Sequence, residues 1–231
     1  MALIHLDHVP ETVKVNSPVY LIVPDRDSLH ENPIGERKVL YLLHGLSDDG
    51  SAWQRFTTIE NVARKLGIVV VMPSAGRSFY INQPNGLEYF SYITEELPDY
   101  LEKLLGLSRN RDQNMISGNS MGGYGAMKAA LLHPEQYFAA ASFSEVLSLQ
   151  ILSIHPNDPR NEEFRQLFGD LSSLNNSNHD PLTWLQAAAK ADTAIPDLYI
   201  SCGRQDDLYP LHSLFQQACM NLGVSLTAHE E

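Results

Sequence analysis

Short apolar runs alternate along the chain with stretches in which apolar residues recur at helical spacing. Strands are predicted at residues 19–23, 38–43, 68–72, 114–117, 138–143, 198–202 and 224–227, and helices at 59–66, 92–105, 121–132 and 211–222. Pro98 predicts a kink or a late start in the second of these helices. Because the strands are apolar almost throughout and alternate with helices, the pattern predicts an α/β fold with a mostly parallel sheet covered by helices on both faces.

Residues 147–192 interrupt this alternation. They are rich in Asn, Ser, Asp and Pro, with short amphipathic pieces at 164–168 and 184–189. Between two core strands, such a segment predicts an excursion over one edge of the sheet, either a small cap or a surface connection. No repeat or internal linker is evident, so residues 1–231 are interpreted as a single domain.

The composition narrows the classes of partner. The formal net charge is −12, from 28 acidic and 16 basic residues, which argues against nucleic acid and favours a neutral small-molecule substrate. The chain has no apolar run long enough for a membrane span and no signal-peptide pattern at Met1, so we expect no membrane association and a cytoplasmic location. Cys202 and Cys219 lack metal-ligand spacing and are interpreted as reduced core residues.

A G-x-S-x-G motif, Gly118-Asn119-Ser120-Met121-Gly122, joins the predicted strand at 114–117 to the helix at 121–132. This arrangement holds a serine on a sharp turn at the end of a strand, where small neighbours allow close backbone packing. It predicts Ser120 as a nucleophile and the backbone N–H of Met121 as an oxyanion donor. The structural alternative is a glycine-rich turn whose serine caps the helix.

A second oxyanion donor is predicted after the strand at 38–43. His44-Gly45-Leu46 follows that strand directly, and Gly45 would allow the loop to approach a substrate, so the N–H of Leu46 is the natural donor. His44 could serve as a base or a metal ligand. Its position beside a tight glycine turn favours a structural hydrogen-bonding role.

A serine nucleophile needs a histidine base and a carboxylate that orients it, and in this fold the chain order is serine, acid, histidine. Asp206 follows the strand at 198–202 and is the predicted acid, with Asp207 in reserve; Asp197 lies at the wrong end of that strand. Only His212 and His229 come later. His212 falls within a predicted helix and would point away from Ser120, while His229 ends the last predicted strand.

The chain resembles the esterase D-like family of α/β-hydrolases, which includes S-formylglutathione hydrolases and antigen 85 mycolyltransferases. It is most similar to the bacterial tributyrin esterase (EstA-like) branch. The matching stretches, in chain order, are residues 39–47, Trp53, 69–73, 95–98, 118–125, 140–144 and 202–209. The likeness therefore extends over nearly the whole chain and includes both loops that carry the predicted oxyanion donors.

The resemblance implies an α/β-hydrolase fold and a serine carboxylesterase that hydrolyses short-chain acyl esters without a metal or organic cofactor. It implies Ser120 as nucleophile, Asp206 as acid, and Leu46 and Met121 as oxyanion donors. Ser47-Asp-Asp-Gly-Ser stands where S-formylglutathione hydrolases usually carry a cysteine. The family's histidine motif, which follows the last strand, is absent before Glu231. We therefore expect this sequence to stop short of its natural C-terminus, with His229 as the in-chain substitute.

Several alternatives remain open at this point. The chain could be a thioesterase of the S-formylglutathione hydrolase type, an acyltransferase, or a non-catalytic binding protein built on a hydrolase fold. Phe79, Tyr80 and Tyr89 could line the substrate pocket or only pack a long loop. A homo-oligomer is compatible with the sequence.

Overall fold

A computed structural model describes residues 1–25, 32–144, 146–149 and 158–231. Its strands form one sheet in the order β1-β2-β4-β3-β5-β6-β7-β8. They are β1 (Ala2–Leu6), β2 (Val19–Val23), β3 (Val39–Leu43), β4 (Val69–Pro73), β5 (Asn114–Asn119), β6 (Ala139–Phe143), β7 (Asp197–Cys202) and β8 (Leu226–Glu230). β2 pairs antiparallel with β1 and β4, and every other pair is parallel. The predicted mostly parallel sheet is confirmed.

The helices lie on both faces of this sheet. They are α1 (Ala52–Phe56), α2 (Ile59–Leu66), α3 (Tyr89–Ser91), α4 (Leu97–Leu105), α5 (Met121–Leu132), α6 (Asn161–Phe168), α7 (Pro181–Ala188) and α8 (Tyr209–Leu222). Short 3₁₀ helices span Ile34–Glu36, Arg111–Gln113 and Leu171–Ser173. Among the described residues, no helix is both long and apolar enough to cross a membrane.

Two hydrophobic clusters cover the two faces because successive residues of a strand point to opposite sides. Val69 and Val71 of β4 belong to the larger cluster, which contains most of α5. Val70 and Met72 of the same strand belong to the smaller one, with Ala63 of α2. The apolar strands of the sequence are therefore buried on both sides, as predicted.

A π-helix at Tyr92–Glu96 joins α3 to α4. Pro98 stands in the first turn of α4 and has no N–H to donate, so the regular ladder of hydrogen bonds cannot run through this point. The expected irregularity at Pro98 is thus a change of helix type, and the helical segment begins earlier than predicted, at Tyr89.

Both edge strands depart from the sequence-based prediction. β1 was not predicted, and β8 spans Leu226–Glu230 rather than 224–227, so His229 lies within the strand instead of at its end. Each edge strand mixes polar and apolar residues and leaves one face in solvent. The apolar runs that revealed the central strands are therefore missing here.

The connection between β6 and β7 is the predicted excursion, of which residues 150–157 lie outside the described residues. The part from Asp158 onward packs against α5 rather than lying loosely on the surface. Phe164 of α6 and Trp184 of α7 are buried in the larger cluster, and the Tyr124 hydroxyl donates to the His179 carbonyl at 2.9 Å. Arg77, after β4, binds Glu163 of α6 through two hydrogen bonds of 2.5 and 2.7 Å.

Candidate active site

Ser120 occupies the turn between β5 and α5, at the carboxyl edge of the sheet. Its backbone has φ 54° and ψ −114°, a conformation that costs a non-glycine residue about 1–3 kcal/mol. The Ser120 N–H donates to the Phe143 carbonyl at 2.8 Å, and its carbonyl accepts the Tyr124 N–H at 3.0 Å. The end of β6 and the first turn of α5 therefore hold the strained residue in place.

Two glycines, one on either side of Ser120, allow α5 to approach β5 and β3 closely. A Cβ atom on Gly118 would lie 2.3 Å from the carbonyl carbon of Gly122, and one on Gly122 would lie 2.4 Å from the carbonyl oxygen of Leu43. Such contacts are too short for any side chain. The predicted reason for small residues in the G-x-S-x-G motif is confirmed.

A cavity of about 320 Å³ opens in front of Ser120. Its lining comes from five parts of the chain: the loop after β3, the loop after β4, the turn at Asn119-Ser120 between β5 and α5 (the elbow), the β6–β7 connection and the segment before α8. The lining residues are Gly45, Leu46, Ser47, Asp48, Phe79, Asn119, Ser120, Val146, Asp158, Arg160, Phe164 and Leu208. Ser120 and the predicted donor loop at Leu46 therefore face the same space.

The backbone N–H groups of Leu46 and Met121 have no hydrogen-bond acceptor among the described residues. Met121 is the first residue of α5, where an N–H has no partner within the helix and the helix dipole adds partial positive charge. Two unengaged donors beside a serine are what a developing oxyanion requires. Their predicted role is compatible with this geometry.

His44 has the structural role that the sequence favoured. It is buried, its Nε2 accepts the Ala75 N–H at 2.9 Å, and its Nδ1 therefore carries the proton that it donates to the Gly45 carbonyl at 2.7 Å. Burial lowers the pKa of His44 and keeps the ring neutral. With both nitrogens engaged by the backbone, His44 ties the Leu46 loop to the loop after β4 and is not available as a base.

Asp206 lies in the loop that follows the carboxyl end of β7, at the same edge of the sheet as Ser120. One carboxylate oxygen accepts the Leu208 N–H at 2.9 Å, and the other has no partner among the described residues. Leu208 itself lines the cavity. Asp207 is exposed to solvent, which favours Asp206 of the two.

Neither of the later histidines is placed as a base for Ser120. His212 is buried in α8 and stacks on Tyr209. His229 is half-exposed and pairs with Glu231 at 3.4 Å. It lies on β8, three strands from β5, and three strand spacings amount to about 14 Å, more than an imidazole can span.

Only one of the three aromatic candidates for the pocket belongs to it. Phe79 lines the cavity, where its N–H also contacts the Met121 sulfur at 3.3 Å. Tyr80 is fully buried and donates to the His44 carbonyl, and Tyr89 does not line the cavity. The pocket hypothesis for Tyr80 and Tyr89 is therefore wrong, because both rings turn into the packing around the loops.

Sequence reasoning missed the pocket residues of the β6–β7 connection and a second crevice. Arg160 and Asp158 form an ion pair of 2.6 Å at the cavity, in a segment without periodic signal. A neighbouring crevice of about 390 Å³ is lined mainly by Trp53, Phe56 and Phe143, and adjoins Gly45, Asp48 and Asn119. Asn119 belongs to the G-x-S-x-G motif. Phe143 lies beside Asn119 in the sheet, so the order of strands could have indicated that Phe143 adjoins the site.

A strained serine between a central strand and a helix, facing a cavity with unengaged backbone donors, defines the serine hydrolases of the α/β-hydrolase fold. The family described as "Putative esterase" matches residues 12–220. The chain belongs to this esterase family and is a carboxylic ester hydrolase.

Relatives of known name support this assignment. An acetyl esterase of Caldicellulosiruptor saccharolyticus is 26% identical over 241 residues, which cover 100% of this chain and 91% of that protein. The fluorophosphonate-binding serine hydrolase F of Staphylococcus aureus is 34% identical with a TM-score of 0.88, over 99% of this chain and 89% of the other. An S-formylglutathione hydrolase of the same organism is 34% identical with a TM-score of 0.86, over 99% and 90%. The predicted family resemblance is confirmed.

Proposed function

We propose that this protein is a serine carboxylesterase that hydrolyses short-chain acyl esters through an acyl-enzyme intermediate. The observation that carries the proposal is the position of Ser120, strained at the elbow and open to a cavity that also contains the Leu46 loop. A non-catalytic binding protein would have no need for a strained serine beside two unengaged N–H groups.

Each residue of the site has a proposed role in the two-step reaction. The Ser120 Oγ attacks the ester carbonyl while a histidine takes its proton, and the N–H groups of Leu46 and Met121 bind the developing oxyanion. The protonated histidine then donates to the departing alcohol. Water attacks the acyl-enzyme by the same route, and the carboxylic acid leaves Ser120 unchanged.

Asp206 is proposed as the carboxylate that orients the histidine, and the histidine is proposed to follow β8. Backbone contacts support this placement, because the Arg204 N–H donates to the Glu231 carbonyl at 2.8 Å and the Arg204 side chain pairs with Glu230 at 3.2 Å. The end of β8 thus lies against the loop that carries Asp206. A histidine a few residues further along would be close to the unengaged oxygen of Asp206.

The preference for short acyl groups is proposed from the size and walls of the cavity. Its volume of about 320 Å³ is near the lower limit for small-molecule sites. Phe79 and Phe164 meet edge to face at 5.7 Å in its wall. An acetyl or butyryl group would fit in front of them, and the alcohol portion would extend toward the crevice at Trp53.

Covalent labelling with a fluorophosphonate probe tests the nucleophile without knowledge of the natural ester. We expect one label per chain, located on Ser120 by mass spectrometry, and loss of both label and p-nitrophenyl acetate hydrolysis in Ser120→Ala. Ser225→Ala, an exposed serine, is the matched control and keeps both. Labelling that persists in Ser120→Ala would overturn the assignment.

Thioester hydrolysis is the second candidate, on the strength of the S-formylglutathione hydrolase neighbour. The Ser47–Ser51 stretch lacks the cysteine usual in those enzymes, which favours oxygen esters. Parallel assays with S-formylglutathione and p-nitrophenyl acetate separate the two, and added alcohol reveals acyl transfer.

We also propose a cytoplasmic location, which the two buried cysteine thiols support.

A further inference from the structure

Lys128 is a buried lysine that the proposed reaction does not use. It lies on α5, eight positions after Ser120 and hence about 12 Å along the helix axis. Its exposed fraction is 7%. Lysine is almost never buried to this degree unless a carboxylate pairs with it, so its surroundings need an explanation.

Within the described residues, the ammonium of Lys128 has an aromatic partner but no carboxylate. Its Nζ lies 4.1 Å from the centroid of the Phe90 ring, within the range of a cation–π interaction. Among the described residues it forms no ion pair. A single cation–π contact offsets only part of the cost of removing an ammonium group from water.

A cavity of about 480 Å³ opens beside this ammonium group. Its walls are the apolar side chains of Ile81, Phe90, Leu132, Trp184 and Ala187, with polar groups of Asn82, Asn178, His179 and Thr183 at intervals. None of these residues lines the cavity in front of Ser120. The volume falls within the ordinary range for sites that bind small molecules.

We propose that this cavity is a second ligand site, which binds a small monocarboxylate with an apolar body and places its carboxylate against Lys128. The apolar walls would cover the body of the ligand, and the carboxylate would supply the counter-ion that the described residues do not. A phosphate ion fits less well, because a dianion without apolar surface would face mostly aromatic and aliphatic walls. The Nδ1 atom of His179, buried and without a hydrogen-bond partner in the part of the chain that the structure describes, is a further polar group at the same cavity.

The protonation of Lys128 makes binding depend on pH. Burial lowers the pKa of Lys128 to about 7, so the empty site is about half protonated at neutral pH. A bound carboxylate raises that pKa again, and binding at pH 7 takes up about half a proton per site. Affinity should therefore be highest below pH 7 and fall about tenfold between pH 6 and pH 8.

Other titratable groups also lie around this cavity. Burial, with a smaller contribution from the nearby Lys128, lowers the pKa of His179, which favours the neutral ring. The His133 ring lies 5.5 Å from the Phe90 ring in a tilted arrangement, and its Nδ1 lies 3.3 Å from the Glu135 carboxylate. Asp180, which follows His179, accepts the N–H groups of Leu182 and Asn176. Of these groups, Lys128 is the one that the proposed carboxylate would contact, so binding is coupled directly to its protonation.

Calorimetric titration with benzoate tests the site directly and needs no catalytic turnover. We expect binding that is about tenfold weaker at pH 8 than at pH 6, with proton uptake seen as a heat that depends on the ionisation enthalpy of the buffer. Benzamide, which has the same shape without the charge, should bind at least tenfold more weakly. Equal binding of benzamide and benzoate would overturn the proposal.

Lys128→Met keeps the length and apolar stem of the side chain and should lose at least tenfold in benzoate affinity. Lys103→Met, at an exposed lysine of α4, is the matched control and should bind as the unchanged protein does. Benzoate could also enter the Ser120 cavity as a product analogue, and binding that Lys128→Met leaves intact would assign it there and contradict the second site. Because the readout is heat of binding, a failure here is distinguishable from a failure of the proposed esterase function.

Discussion

The Nε2 atom of His44 accepts the backbone N–H of Ala75 at 2.9 Å, which joins the ends of two neighbouring strands. His44 is the residue two positions before Leu46, whose N–H is the proposed oxyanion donor. The hydrogen bond therefore fixes the loop on which one half of the oxyanion site depends. His44 therefore holds the backbone of this loop in place and does not act as a catalytic base.

His44→Phe should weaken both stability and catalysis. The Ala75 N–H and the Gly45 carbonyl would lose their partners in the interior, and the free energy of unfolding should fall by about 2–4 kcal/mol. A displaced Leu46 N–H should lower kcat by about 10²-fold. Urea unfolding and ester hydrolysis measure the two effects, with His5→Phe on the half-exposed edge strand as control. A variant with unchanged kcat would show that His44 does not position the oxyanion site.

Asp206 and Asp207 form a matched pair for testing the acid. Asp206→Asn should lower kcat by about 10³- to 10⁴-fold with little change in KM, because the amide no longer holds the histidine in the correct tautomer. Asp207→Asn changes an exposed carboxylate and should leave kcat unchanged. The comparison requires a protein whose ester hydrolysis is measurable before the substitutions are made. If the two variants exchange these effects, Asp207 is the acid.

The acyl preference should change when the cavity wall is shortened. Phe164→Ala enlarges the pocket and should raise kcat/KM for p-nitrophenyl hexanoate relative to acetate by about tenfold. Phe168→Ala is the control, since its ring also packs on Phe79, at 5.3 Å, but does not line the cavity. Both variants should lose about 3–5 kcal/mol of stability at most. An equal change of preference in both would show that loosened packing, rather than pocket length, is responsible.

Lys128→Met should raise stability, and the gain should depend on pH. The pKa of Lys128 is lowered from 10.5 to about 7 in the folded protein, so between these values the unfolded chain binds more protons and stability rises with pH. Below pH 7 both states carry the charge and the folded state bears the full cost of burying it. We expect Lys128→Met to be more stable by about 1–4 kcal/mol at pH 6 and nearly equal to the unchanged protein at pH 10. A difference that stays constant over this range would place the Lys128 pKa outside it.

Local motifs of the candidate site were predictable because their constraints act within a few residues. The sharp turn at Ser120 requires glycines at fixed offsets, and the strand before it and the helix after it are both visible as apolar patterns. The choice of Asp206 as the acid rests on its position after the strand at 198–202, and it stays a prediction. The position of His229 within β8 could not be predicted, because an edge strand that is exposed on one face lacks the apolar run that marks the bounds of a central strand.

The sequence by itself determined the alternation of strands and helices, the elbow and the loop at Leu46, each of which depends on backbone geometry over short distances. Only the tertiary structure decided which side chains enclose the site. Phe79, after β4, meets Arg160 and Phe164 of the β6–β7 connection at one cavity, because the sheet order brings these two distant segments to the same edge. The cavity at Lys128 arises in the same way, where α7 and the loop after β4 pack beside α5. Such contacts are set by packing between remote segments, and no local pattern of residues encodes them.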